Sequence, residues 1–177
     1  MFEKKLPSDF CPVKFNFADV MTSDEWSMIW KEMMQIEDFW VHLSALSGAR
    51  ELHAFLAQNY DAQVYFITSR AHATAGQPVL QQTTQWLENH GLWPRLGKSV
   101  VIVTDAAEKY KYINALNIPY YLDDYGPTIA GMNTACEFTK SVLLDAPYNQ
   151  ESVDLRRVFS VTEFLKQVKE DYSGQTN

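Results

Sequence analysis

A chain of 177 residues, with 46% hydrophobic and 14% aromatic side chains, carries enough apolar material to fold as one domain, residues 1–177, around its own core. Its formal charge of −7 excludes the basic stripe that grips a nucleic-acid duplex. Cys11 and Cys136 suit no zinc spacing and no apolar run approaches membrane-spanning length, so a cytoplasmic protein with reduced thiols and no membrane partner is expected.

In chain order, Val13 to Ala18 (VKFNFA) reads as a first strand. Thr22-Ser23-Asp24-Glu25 then offers capping chemistry ahead of Trp26, Ile29, Trp30, Met33 and Met34 at helical spacing, the start of a small helical insert over about residues 22–47. A helix is expected from Gly48 to Gln58, with Leu52, Phe55 and Leu56 on one face. Val64 to Thr68 (VYFIT) reads as a buried parallel strand, and Pro78 to His90 as an amphipathic helix stopped by Gly91. Ser99 to Val103 is the next strand, Glu108 to Leu116 a helix, and Pro119 to Leu122 a strand running into Asp123-Asp124. Gly126 to Ala135 reads as helix, Ser141 to Leu144 as the fifth strand, and Val161 to Val168 as the closing helix. Short apolar strands alternating with helices predict an α/β fold: a five-stranded parallel sheet, doubly wound, with a crevice at the carboxyl ends of its strands. Asn16 and Asp19, Thr68-Ser69-Arg70 and Asp123-Asp124 then fall at that end.

Those residue types suggest a chemistry. Adjacent carboxylates raise one another's pKa, and a hard cation such as magnesium relieves the repulsion while holding phosphate oxygens. Thr68 and Ser69 supply hydroxyls at a neighbouring strand end, and Lys109 or Lys111 supplies an ammonium from the next helix. Hydroxyl, ammonium and magnesium around one point suit phosphoryl transfer, which is mostly positioning and charge stabilisation. The same acids also suit the cap of a following helix, and lysines on a helix are commonly solvated. His42, His53, His72 and His90 show no paired metal-binding spacing.

The order of these segments resembles the haloacid dehalogenase (HAD) superfamily. FITSR with Thr68 is similar to its second motif, Lys109 (or Lys111) to its third, and YYLDD with Asp123 and Asp124 to its fourth. The insert after the first strand, the Gly48-Ala49-Arg50-Glu51-Leu52 helix start, VLLDAPYN (Val142 to Asn149) and RVFSVTEFL (Arg157 to Leu165) resemble the 5′(3′)-deoxyribonucleotidase branch. The resemblance covers nearly the whole chain and rests on the order and spacing of the motifs. It implies a HAD-like Rossmannoid sheet with a small helical cap at about residues 22–47, a magnesium ion on Asp123 and Asp124, and phosphate held by Thr68, Ser69 and Lys109.

The first motif departs from that pattern. Where the family carries a nucleophilic and an acid/base aspartate, one register puts Asn16 and Ala18; the other makes Asp19 the nucleophile with Met21 two residues on. An amide does not form an aspartyl phosphate, and a methyl group shuttles no proton. Trp26, Trp30, Phe39 and Trp40 either enclose a base from the cap or hold the cap to the domain, and Arg70 either touches substrate or is solvated. The expected function is therefore binding of a phosphorylated small molecule, a nucleoside monophosphate, with phosphomonoester hydrolysis if the chain is active. The alternative is a catalytically inactive protein of this fold that binds a nucleotide or a protein. Attack at carbon by Asp19 is a third reading, and a homodimer is left open.

Overall fold

The computed structural model describes residues 13–14, 17–59, 63–70, 74–92 and 99–173. Helix α1 spans Ser23–Met33 and begins with the capping box written in the sequence. The Glu25 amide donates to Thr22 Oγ1 (3.3 Å), and the Thr22 amide donates to Glu25 Oε2 (2.7 Å). Next come α2 (Ala49–Asn59), β1 (Val64–Thr68), α3 (Val79–Asn89), β2 (Ser99–Val103), α4 (Lys109–Ala115) and β3 (Tyr120–Asp123). They are followed by α5 (Gly126–Ala135), β4 (Lys140–Leu144), β5 (Arg157–Val158) and α6 (Val161–Ser173). Helix α3 ends as expected: Gly91 takes φ +67°, the left-handed region, and its amide caps Glu88 O at 3.0 Å.

The described strands form two parallel sheets, of two and three strands, rather than one of five. β1 pairs with β2, Val64 opposite Ser99 through Thr68 opposite Val103. β3 pairs with β4, Tyr120 opposite Lys140, and β4 pairs with the two-residue β5, Leu143 opposite Arg157. The expected first strand is corrected. Val13 and Lys14 are exposed and outside any ladder, and Phe17, at φ +55°, starts a turn in which its carbonyl accepts the Val20 and Met21 amides. A strand inside a parallel sheet is buried on both faces, and the polar Lys14 of VKFNFA is costly there. Asn16, with Cys11 and His72, lies outside the described residues.

Packing makes three layers of these elements. Along β3 and β4 the side chains alternate between two cores, as the period of two in a strand requires. Tyr121 and Leu143 join Ile113, Ile129, Met132 and Cys136 from α4, α5 and the residue after α5. Val142 joins Val158, Phe164 and Val168, with Leu52, Leu56, Tyr120 and Leu122 packed against them from α2 and β3. Ile67 of β1 packs onto the first core, so the two sheets share it. No helix among the described residues is long and apolar enough to cross a membrane.

His53 of α2 is buried and stacks on Phe66 with ring centroids 6.1 Å apart. Burial holds its pKa below the usual 6.5. The unfolded chain therefore binds the proton more readily, so stability is full above about pH 6.5 and falls as pH drops through that value toward the lower folded pKa. Urea unfolding is expected to give a lower midpoint at about pH 5.5 than at about pH 7.5, with a smaller difference in His53→Leu. Equal pH dependence in the two proteins would show that His53 is not the group responsible.

Candidate functional site

From β1 the chain runs through α3 to β2, then through α4 to β3. β1 and β3 face each other across a cavity of about 450 Å3 lined by both. In parallel α/β sheets ligands bind beyond the carboxyl ends of the strands. Thr68-Ser69-Arg70 leave β1 at that end, and Asp123-Asp124 leave β3.

Asp123 is the anchor of the β3 side. Lys109, the first residue of α4, reaches its Oδ2 at 2.6 Å, with side chains only 10% and 7% exposed for the lysine and the aspartate. The Tyr121 hydroxyl donates to the same oxygen, and the Tyr125 amide donates to Oδ1 at 2.9 Å. Burial and the adjacent carboxylate hold the Tyr121 phenol well above its ordinary pKa, so it stays a donor. Asp124 is exposed; its Oδ2 accepts the Tyr148 hydroxyl, and its backbone carbonyl accepts Asn149 Nδ2 at 2.8 Å. Burial and Asp124 likewise raise the Tyr148 pKa. The loop that carries Tyr148 is pinned by Arg157, which donates to Asp145 Oδ1 and Asn149 Oδ1 at 2.7 Å each.

Among the described residues this donor set does not fit a resident magnesium ion. Asp123 already holds an ammonium, a phenol and an amide, and a dication on it would stand against the Lys109 charge. One exposed carboxylate, Asp124, is what remains. Among the described residues no group of three or more His, Cys, Asp or Glu side chains is gathered.

The β1 side carries a cation instead. Arg70 NH1 donates to Thr83 Oγ1 at 2.7 Å, and its guanidinium lies over the rings of Trp40 (5.0 Å) and Trp86 (5.8 Å). Burial pushes its pKa down to about 10, so it is still charged at neutral pH. Among the described residues no carboxylate forms an ion pair with it. Its platform is built locally. Trp86 Nε1 donates to Leu43 O at 2.6 Å, and the fully buried Gln82 accepts the Trp40 amide (3.1 Å) while its own amide reaches Thr74 Oγ1 (2.7 Å). Asp38 ties the insert to the same loop by accepting the Gln77 amide at 2.7 Å.

The remaining candidates separate from these two clusters. Lys111, the alternative to Lys109, is exposed and pairs with Glu108 on the surface. Thr68 lines the cavity and Ser69 is exposed. Ala18 and Asp19 are exposed; the Asp19 carboxylate accepts the Val13 amide at 3.3 Å, and no hydrogen bond among the described residues joins it to Asp123 or Asp124. Phe17, Trp26, Trp30 and Trp40 form a chain of ring contacts spaced 5.2, 5.7 and 6.4 Å, with Phe39 beside Trp40 at 5.0 Å. Sequence reasoning missed Tyr121, Tyr148, Thr83 and Trp86. The first had a signal: positions i and i+2 of a strand share a face, which puts Tyr121 beside Asp123.

No family model matches this chain, and no curated protein matches it.

Removing Lys109 leaves a buried carboxylate without its cation. Lys109→Ala is expected to cost about 3 kcal/mol in urea unfolding, and Asp123→Asn in the same chain to recover part of that loss. A cost under about 0.5 kcal/mol would mean the pair is screened like a surface one.

Proposed function

We propose that this chain is a HAD-like protein of the deoxyribonucleotidase-like type that binds the anionic group of a phosphorylated small molecule and does not hydrolyse it. The observation that carries the reading is Arg70, a charged, half-buried guanidinium lining the cavity beside β1 and β3, over two indoles and facing no carboxylate among the described residues. A planar fork of donors with this pre-organisation suits a phosphate, because little further entropy is lost when the anion docks. Thr68 and Ser69, immediately before it, add hydroxyl donors at the same strand end.

Two features favour binding without turnover. The first-motif positions within the described residues, Ala18 and Asp19, are exposed and have no hydrogen bond to the strand-end acids. Three of the roughly four acceptor sites of Asp123 are taken by Lys109, Tyr121 and Tyr125, so it is poorly placed to serve a metal or a leaving group. The role of the Lys109–Asp123–Tyr121 cluster in this reading is to hold α4 and β3 in place beside the anion site.

Calorimetry against a panel of nucleoside and sugar monophosphates, with and without magnesium, tests this. Binding of at least one member is expected, weaker by about tenfold or more in Arg70→Ala, as loss of a charge-assisted contact predicts. No phosphate release is expected. Magnesium-dependent release that Asp124→Asn abolishes would overturn the proposal in favour of a working phosphatase.

A further inference from the structure

The second half of the insert meets the start of α3 through a clasp of groups far apart in sequence. The Ala75 amide donates to Met34 O, and the Asp38 amide donates to Ala75 O, both at 2.9 Å. Asp38 Oδ1 then accepts the Gln77 amide at 2.7 Å, so one residue holds the loop by its backbone and by its side chain. Asp38 takes φ +50° and Gly76 φ +91°, both in the left-handed region. Aspartate tolerates that region better than most side chains, and its short carboxylate can reach a nearby backbone amide from it. A Cβ at position 76 would lie 3.0 Å from the Asp38 amide nitrogen and run into its carboxylate, so the close approach needs glycine there.

Trp40 follows two residues later, in the short turn Phe39–His42 that starts at Asp38, whose carbonyl accepts the Val41 amide at 2.8 Å. Its backbone is held from α3. Gln82 Oε1 accepts the Trp40 amide (3.1 Å), while Gln82 Nε2 donates to Thr74 Oγ1 (2.7 Å) and Gln77 O (2.5 Å). Asp38 and Gln82 thus grip the same loop, residues 74–77, and Trp40 is carried between them. Trp40 is buried, and the Arg70 guanidinium lies over its ring at 5.0 Å. Two other partners of that guanidinium, Trp86 and Thr83, belong to α3 itself. Trp40 is the partner supplied by the insert, so its place depends on how the insert is fastened.

The geometry points to Asp38 as a positioning residue of the anion site: it touches no ligand, and it sets the guanidinium of Arg70 by locking Trp40 against it. This rests on the anion-binding reading of Arg70 and adds the device that pre-organises it. An arginine held in one place before the anion arrives loses little freedom on binding, whereas one released from a ring must be ordered at that moment. What Asp38 supplies is an acceptor for a backbone amide and tolerance of positive φ. An asparagine has both, and an alanine has neither.

Titration calorimetry on the full chain with inorganic phosphate and ribose 5-phosphate tests the inference, paired with 1H–15N spectra of the Trp40 indole, assigned by its loss in Trp40→Phe. Asp38→Ala is expected to weaken binding about three- to tenfold, the cost of ordering one long side chain, and to move the Trp40 resonance. Asp38→Asn is expected to bind within about 1.5-fold of the unaltered protein and to keep that resonance in place. A residue that served stability alone would lower the urea midpoint and leave the affinity of the folded protein unchanged. Asp38→Gly, which adopts φ +50° without strain, lacks only the acceptor and serves should Asp38→Ala not fold; it is expected to bind as weakly as the alanine variant. Unaltered affinity in Asp38→Ala and Asp38→Gly, with binding lost in Arg70→Ala, would overturn the inference and leave the anion site intact. Weakened binding with an unmoved Trp40 resonance would overturn it too, since Asp38 would then act by another route. No binding of either anion by the unaltered protein would defeat the anion site and the inference together.

Discussion

A carboxylate that is nearly out of solvent must be neutralised, and Asp123 is neutralised by Lys109 at 2.6 Å. Much of the β3 side follows from that pair. It draws the first residue of α4 down onto the end of β3, orients the Tyr121 hydroxyl, and takes the Tyr125 amide at the turn into α5. It also changes the meaning of two adjacent acids. Side by side at a strand end they suggest a shared dication; with a lysine on one and Tyr148 on the other, their charge is managed by the protein's own groups.

The second constraint is the separation of the two sheets. β1 and β3 are held in one body by a shared core, through Ile67, rather than by a ladder between them. Side chains of α2, α3 and α6 line the cavity beside β1 and β3. The result is an apolar chamber opening beside a cation. Arg70 is fixed there by indoles from the insert and from α3, and the insert is tied down through Asp38 and Gln82. Trp40 of the insert thus serves, with Trp86 of α3, as a platform for a guanidinium.

Much of the architecture was legible because it is local. The capping box at Thr22, the glycine stop at Gly91, the helical spacing in α3 and the apolar runs of β1 to β4 depend on neighbours within a few residues, and each element forms near where its pattern predicts. VKFNFA failed by the same kind of logic: its alternation suits a half-buried strand, whereas the place it was assigned needs apolar side chains on both faces. The pairing of Lys109 with Asp123 was half visible, since both residues were singled out, but as partners of a phosphate and a metal rather than of each other.

The sequence by itself determined the alternation of helices and strands and the polar residues at the ends of β1 and β3, because periodicity and capping are written residue by residue. Tertiary structure decided that the described strands form two sheets, that Lys109 and not Lys111 turns inward, and that Arg70 lies half-buried over Trp40 and Trp86. The physical reason is that solvation and pairing are properties of three-dimensional surroundings. The same lysine, arginine or aspartate is a solvated charge or a buried anchor according to what the distant chain brings beside it.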